Sequence, residues 1–250
     1  MSRRPRHRRR AALPALLLAA ALAGGCASVR HPNPADPFEG YNRGMQKFND
    51  AVDEALLIPV ATAYRDHVPQ VLRVVVGNFF GNLGDAWSAF NHLLQAKPEP
   101  ALNMSLRFAV NSTFGILGLL DIATEAGLER EREDFGQTLG VWGFGPGPYL
   151  VLPLLGPSSV RDAVGLPLDL RATGTGLVTE DHTRRALGTA LNVVDTRAGL
   201  LGATRLLGDI ALDPYIFLRD AYLARRRNLV YDGDPPPLPE PDDDEDVQPR

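Results

Sequence analysis

From Phe135 to Val160 the chain runs 26 residues without an Asp, Glu, Lys or Arg. A run of that length and polarity is long enough to cross a bilayer as a helix, which takes about 20 apolar residues. Its composition forbids that outcome. Pro146, Pro148, Pro153 and Pro157, together with Gly136, Gly140, Gly143, Gly145, Gly147 and Gly156, interrupt a helix again and again. Irregular backbone cannot face hydrocarbon, because its N–H and C=O groups would go unpaired. The segment must therefore be covered by protein or line a cavity. Two further charge-free runs, Val74–Gly84 and Phe108–Leu120, are too short to span as helices. Either these runs are core, or they are short apolar helices lying in one leaflet of a membrane; the residues alone leave both readings open.

The rest of the body has helical punctuation. Asp36-Pro37-Phe38-Glu39 predicts a helix start, with Asp36 as cap, Pro37 in the first turn and Glu39 completing a capping box. Phe38, Tyr41, Met45, Phe48, Val52 and Leu56 then recur at intervals of three and four, one apolar helix face. Pro59 should break or kink that helix. Pro69 opens the apolar stretch Val71–Phe80, and Leu83, Trp87, Phe90 and Leu94 form the stripe of a following helix. Leu187, Leu191, Val194, Ala198 and Leu201 make another, and Asp213-Pro214 restarts a helix carrying Tyr215, Leu218 and Tyr222. Sustained period-two alternation is absent, so the expected fold is all-α.

Both ends differ from the body. Six arginines in Met1–Arg10 precede the uncharged run Ala11–Gly25 and Cys26, the only cysteine. This is the layout of a secretory signal over residues 1–25. Leu22-Ala23-Gly24-Gly25 before the cysteine resembles a bacterial lipobox, with Leu22 one place further upstream than usual. Lipidation of Cys26 is the expectation, and residues 26–35 would be a tether; an ordinary signal with an unmodified cysteine is the alternative. A lone cysteine offers no disulfide framework, so the body, residues 36–231, has to fold by burial alone. At the other end, residues 232–250 carry eight Asp or Glu against one Arg and many prolines, the composition of a solvated, disordered tail. Without the signal and the tail, the formal charge of −4 becomes about −3. Such a body argues against nucleic acid, which demands clustered Lys and Arg.

Catalytic patterns are missing. His7, His31, His67, His92 and His182 show no metal-ligand spacing. Gly156-Pro-Ser-Ser-Val lacks the Gly-x-Ser-x-Gly of a nucleophile elbow, and Asp134-Phe135-Gly136 matches a kinase triplet by letters alone. Prolines in Gly143-Phe-Gly-Pro-Gly-Pro remove the N–H donors that a phosphate cradle requires. No cofactor or metal is expected, and no enzymatic role.

Several ordered motifs do point to a family. Asp36-Pro37-Phe38-Glu39-Gly40-Tyr41-Asn42-Arg43, then Phe48-Asn49, resembles the opening of the MlaA (VacJ) lipoproteins. So do Arg107-Phe108, Asn111-Ser112-Thr113, Gly115, Gly118 and Asp121. The most specific block is Asp134-Phe135-Gly136-Gln-Thr-Leu-Gly-Val-Trp-Gly, continued by Gly147-Pro148-Tyr149-Leu-Val-Leu-Pro and Gly156-Pro-Ser-Ser-Val-Arg161-Asp162. Asp195-Thr-Arg-Ala and Asp213-Pro-Tyr-Ile-Phe-Leu-Arg-Asp-Ala-Tyr close the match, which covers Asp36–Gly233 in order.

The resemblance implies an outer-membrane lipoprotein of the system that maintains lipid asymmetry. Its fold would be a ring-like domain of short amphipathic helices with Gly/Pro-rich connections, partly embedded in the periplasmic leaflet beside a trimeric porin. Phospholipids misplaced in the outer leaflet would pass through a central amphipathic channel to a soluble periplasmic phospholipid-binding protein, and an ATP-driven inner-membrane complex would receive them. Ala27 after the cysteine fits onward sorting to the outer membrane. Asn42, Arg43, Phe48 and Asn49 are the expected gate; Asn78, Asn82 and Asn111 are candidates for a pore lining, and Arg184 and Arg185 for headgroup contact at the exit. Asp36 and Phe48 also have plain readings as cap and core, and Arg161 and Asp162 as a loop-fixing pair. Tyr149 and Trp142 suit an interfacial aromatic position. Two other classes stand beside the channel: a non-transporting envelope scaffold, and a lipid hydrolase using Ser158 or Ser159 with His182.

Overall fold

The computed structural model describes residues 33–176, 178–210 and 212–237. Cys26, the signal, the first part of the tether and the tail beyond 237 lie outside the described residues. Helix α1 (Glu39–Val52) runs through a π-helical turn (Asp53–Leu57) into α2 (Ile58–His67). Next come α3 (Gln70–Leu94), α4 (Pro98–Thr113) and the single turn α5 (Ile122–Glu125). The charge-free block folds as α6 (Phe135–Val141) followed by an antiparallel hairpin, β1 (Tyr149–Leu152) and β2 (Gly156–Ser159). Helices α7 (Val160–Thr173), α8 (His182–Ile210) and α9 (Pro214–Val230) complete the chain. The fold is all-α with this one two-stranded exception.

Local chemistry explains most boundaries. Asp134, Ser159 and Asp213 each cap a helix with a side-chain oxygen, accepting from the N–H of Gln137, Asp162 and Tyr215. Pro214 stands in the first turn of α9, where its missing N–H costs nothing. The opening helix departs from expectation. It starts at Glu39 with Phe38 at the cap position and no side-chain cap bond, so Asp36 does not cap and Pro37 precedes the helix. Pro59 does not break the chain's helical course either. It sits in the first turn of α2, and the preceding turn widens to π geometry, with the Ile58 N–H reaching Asp53 O. The apolar runs on either side of Gly81 are one 25-residue helix, α3, because glycine in a helix costs only about 1 kcal/mol and packing on both sides outweighs it.

Helix α3 is the hub and packs against α4, α6, α7 and α8. The α6–α7 contact is close: a Cβ on Gly165 would come 2.9 Å from the Gly136 nitrogen, so backbone touches backbone. Two small apolar clusters hold the remainder. One is Ala61, Ala198 and Leu201 between α2 and α8; the other is Tyr149, Val151 and Tyr215 between the hairpin and α9. Neither is a large core. Among the described residues 19 polar or charged side chains are buried against 13 hydrophobic ones, while 34 large hydrophobics are exposed. Water-soluble domains bury apolar side chains and rarely leave large apolar patches exposed. This chain inverts that order. No helix among the described residues is long and apolar enough to cross a membrane.

Candidate functional site

The opening motif proves to be a clamp. Asn42 on α1 is fully buried, donates to the Asp36 carboxylate (2.8 Å) and to Tyr149 O (3.1 Å), and accepts from the Val151 N–H (2.8 Å). Asn49, seven residues on and so on the same helix face, repeats the pattern: it donates to Leu152 O (2.9 Å) and accepts from Leu154 N–H (2.7 Å). The two amides thus pair the free edge of β1 as a neighbouring strand would. Asp36 also accepts from the Tyr215 hydroxyl and, at 3.4 Å, from Arg219. Burial and that carboxylate push the Tyr215 phenol well up. Arg43 lies over the Tyr215 ring, 4.3 Å from its centre, and bonds Glu39 and Asp213, tying α1 to the start of α9.

The other asparagines are clamps too. Asn78 donates to Leu119 O (3.1 Å) and Asn82 to the Ser112 hydroxyl (3.0 Å). Asn111 donates to Asp121 (2.9 Å) and accepts from Ala123 N–H (2.8 Å). Together they fasten the apolar loop carrying Phe114, Ile116 and Leu117, whose side chains stay 63–73% exposed. Beneath it sits the fully buried Arg107, bonded to Asp85 (3.3 Å), Asp121 (3.0 Å), Thr124 and Leu128 O. Arg130 pairs with the same two carboxylates. Burial alone would raise the Asp121 carboxyl, but hydrogen bonds from Thr124 and Asn111 and the Arg107 charge hold it at about 2.

A second charged cluster borders open space. Arg226 on α9 bonds Asp134 (2.8 Å) and Asp162 (2.9 Å), and Asp162 also accepts from Tyr222 (2.6 Å) and pairs with Arg161 (2.9 Å). Burial opposes both charges, yet the Arg226 guanidinium keeps the two carboxyls below the ordinary range. Here three cavities adjoin. The largest, about 500 Å³, lies between α3, α8, α9 and the loop before α6. Its floor includes Gly77, Gly81 and Gly84 on α3, with the Arg130 guanidinium packed against Gly81; its walls carry Arg132, Glu133, Asp195 and Arg225. A second, about 470 Å³, shares Asn192 and Thr196 with it and is lined by Leu57, Leu155, Val193 and Leu200. A third, about 180 Å³, shares Asp134 and Arg226 with the first and Leu155 and Pro157 with the second. Joined by these shared wall residues, the three make up the hollow: charged side chains wall the first, and mostly apolar ones the second, which also carries Asp50, Asp53 and Arg197. Glu133, in its wall, is pushed up to about 7 by burial, which outweighs the Gln95 bond and the Lys97 charge; Lys97, 3.7 Å away, is itself held by Asp232 at 2.6 Å.

Of the residues expected at the gate or lining, Asn49 alone reaches this hollow. Asn42, Arg43, Asn78, Asn82 and Asn111 are taken up by backbone groups, carboxylates or, for Asn82, the Ser112 hydroxyl, and Phe48 is half exposed rather than core. The Arg184 backbone N–H donates to the Asp181 carboxylate at the start of α8 and the Arg185 side chain donates to Thr179 O, and neither residue lines the cavities. Tyr149 is fully buried in the hairpin cluster and not interfacial; Trp142 is half exposed with its N–H on Leu94 O. Arg161 and Asp162 pair directly. Phe135 opens α6 with its N–H on Asp169, Gly147 and Gly156 take positive φ at the ends of β1 and β2, and Pro148 O accepts from Val160 N–H. Ser159 caps α7 and the Ser158 hydroxyl bonds Ser159 O, so neither is held by a histidine as a nucleophile would be. No group of three or more His, Cys, Asp or Glu suited to a metal occurs among the described residues. Sequence reasoning missed Arg132, Asn192, Asp195, Thr196, Arg225 and Arg226. The available signal was the Gly77, Gly81, Gly84 spacing, which puts three glycines on one helix face.

With that geometry in view, the chain was compared with known proteins. A family model described as MlaA lipoprotein matches residues 34–229. The intermembrane phospholipid transport system lipoprotein MlaA of Escherichia coli K12 is 36% identical over 236 residues, covering 92% of each chain. Its counterpart in Haemophilus influenzae is 32% identical over 229 residues, covering 88% of this chain and 90% of that one. A solved structure described as "Structural basis for maintenance of bacterial outer membrane lipid asymmetry" superposes with TM-score 0.67 at 36% identity, over 78% of this chain and 98% of that chain.

Proposed function

Because the chain belongs to the MlaA lipoprotein family, we propose that it is an outer-membrane lipoprotein that maintains phospholipid asymmetry by letting phospholipids pass through its hollow. The observation that supports this reading is a group of three cavities that share wall residues, the first walled by charged side chains and the second mostly by apolar ones. A diacyl phospholipid needs both: polar partners for its headgroup and apolar walls for its chains. No reacting group is required, since transfer breaks no bond.

The inverted burial pattern supports placement in a leaflet. Exposed Phe114, Ile116 and Leu117, with Val71 and Leu72 at the start of α3, would face acyl chains, and the helices would form a ring about the hollow. Lipidated Cys26 would supply the address, a trimeric porin the lateral partner, and a soluble periplasmic phospholipid-binding protein the acceptor. The similarity to lipoproteins of an intermembrane phospholipid transport system is consistent with such partners.

The test is transfer itself. Full-length lipidated protein in vesicles holding a fluorescent phospholipid, with a purified periplasmic carrier added, should load the carrier. Thr196→Trp, which fills the join between the two larger cavities, should slow loading by roughly tenfold or more. Loading that never exceeds protein-free vesicles, with or without porin, would leave a scaffold and not a passage.

A further inference from the structure

The charges around the largest cavity do not cancel in place. Arg226 is committed to Asp134 and Asp162. Glu133 is buried and bonded to Gln95. Three groups are left over. Arg132, on the loop before α6, and Arg225, on α9, line the same space, and among the described residues no carboxylate is in ion-pair contact with either. Asp195, on α8, lines it as well; its carboxylate accepts from the Tyr64 hydroxyl at 2.9 Å and has no cation against it among the described residues. The Gly77 backbone leaves room beside it, since a Cβ there would come 3.6 Å from Asp195 Oδ2.

Unpaired charges of both signs, contributed by different elements to one cavity of about 500 Å³, suit a ligand carrying both opposite charges. Guanidinium groups match phosphate oxygens in geometry, and an ammonium donates to a carboxylate. Building on the transport reading above, we propose that this cavity selects zwitterionic headgroups, with the phosphate on Arg132 and Arg225 and a primary ammonium on Asp195. A headgroup that is only anionic brings no cation to Asp195, whose one donor among the described residues is the Tyr64 hydroxyl. Acyl chains continue past Asn192 and Thr196 or past Leu155 into the adjoining apolar space.

The test uses the full-length lipoprotein and mixed vesicles of phosphatidylethanolamine and phosphatidylglycerol with identical chains, reading the rate at which each reaches the carrier. The wild type should move phosphatidylethanolamine roughly tenfold faster, the scale of one hydrogen bond to a charged group. Asp195→Asn should erase that preference mainly by slowing phosphatidylethanolamine, and Arg132→Gln with Arg225→Gln should slow both lipids. Asp66→Asn, at an exposed carboxylate paired with Arg65 and outside the cavity lining, should keep the preference. Soluble phosphoethanolamine should compete weakly; competition as strong as that of the lipid would assign the site to a soluble zwitterion and overturn the proposal. Equal wild-type rates for both lipids would overturn it too, whatever the variants do, and so would an Asp195→Asn variant that keeps the preference. If the wild type moves neither lipid, the transport reading fails first.

Discussion

Two buried arginine clusters, built from the same parts, do different work. Arg107 and Arg130 share Asp85 and Asp121; Arg226 and Arg161 share Asp162, with Asp134 alongside. The Arg107 side chain is 0% exposed and touches no cavity of the hollow, whereas Arg226 is 12% exposed and lines two of them. The first cluster locks α3, α4 and the apolar loop together. The second also fixes α6, α7 and α9, but its outer edge lines the hollow. On the proposed function, the closed cluster would serve stability alone and the open one would also affect transfer.

Breaking the closed cluster should have the largest effect. Arg107→Met would leave the buried Asp85 and Asp121 with Arg130 as their one remaining cation among the described residues, at a cost of about 3 kcal/mol. Thermal denaturation in detergent should show it, with normal transfer per folded molecule. Arg226→Gln should cost less, about 2–3 kcal/mol, because one edge of the cluster is open. It should also alter transfer in the molecules that remain folded. If Arg107→Met changed transfer per folded molecule while Arg226→Gln did not, the contrast between lock and wall would be reversed. Gly136→Ala comes next: its Cβ would lie 2.5 Å from Asp162 Oδ1 and 2.8 Å from Arg226 Nη2, so the second cluster must shift, costing about 2 kcal/mol. Denaturant midpoints would register that change.

The smallest effect concerns Glu133. Its carboxyl, raised to about 7 from an ordinary 4.5, binds a proton in the folded chain that the unfolded chain has released between those values. The native state then holds more protons, so this group's contribution to stability falls as pH rises from about 4.5 to 7. Glu133→Gln should remove that fall and leave the variant ahead of the wild type by roughly 1–2 kcal/mol at pH 8, with little difference at pH 4.5. Denaturation at the two pH values measures it; a wild type that gains on the variant as pH rises would reverse the sign.

The helices and the family were legible in the sequence because their signals are local. Asp213-Pro214 predicts a helix start, and the structure has one there. The charge-free block could be excluded as a span from its prolines, but its folding into a hairpin depends on Asn42 and Asn49, about a hundred residues away. No local pattern announces that pairing. The same holds for Asp36, which has the letters of a cap yet is claimed by Tyr215 and Arg219 on the last helix. Asparagines looked like pore groups because polar residues among apolar ones suggest water. Burial beside a loop backbone satisfies them equally well. The hollow escaped reading because the lining of its largest cavity is spread over α3, a loop, α6, α7, α8 and α9, which lie far apart in the sequence.

The most direct test of the passage is to catch lipid inside it. A photoreactive amino acid at position 196, at the join of the two larger cavities, should cross-link phospholipid in intact outer membranes when the full-length lipoprotein is illuminated, and filling the neighbouring space by Asn192→Trp should abolish the adduct. Adducts formed from position 117 on the exposed loop, with none from position 196, would mean that lipid touches only the outside of the protein and would contradict the account.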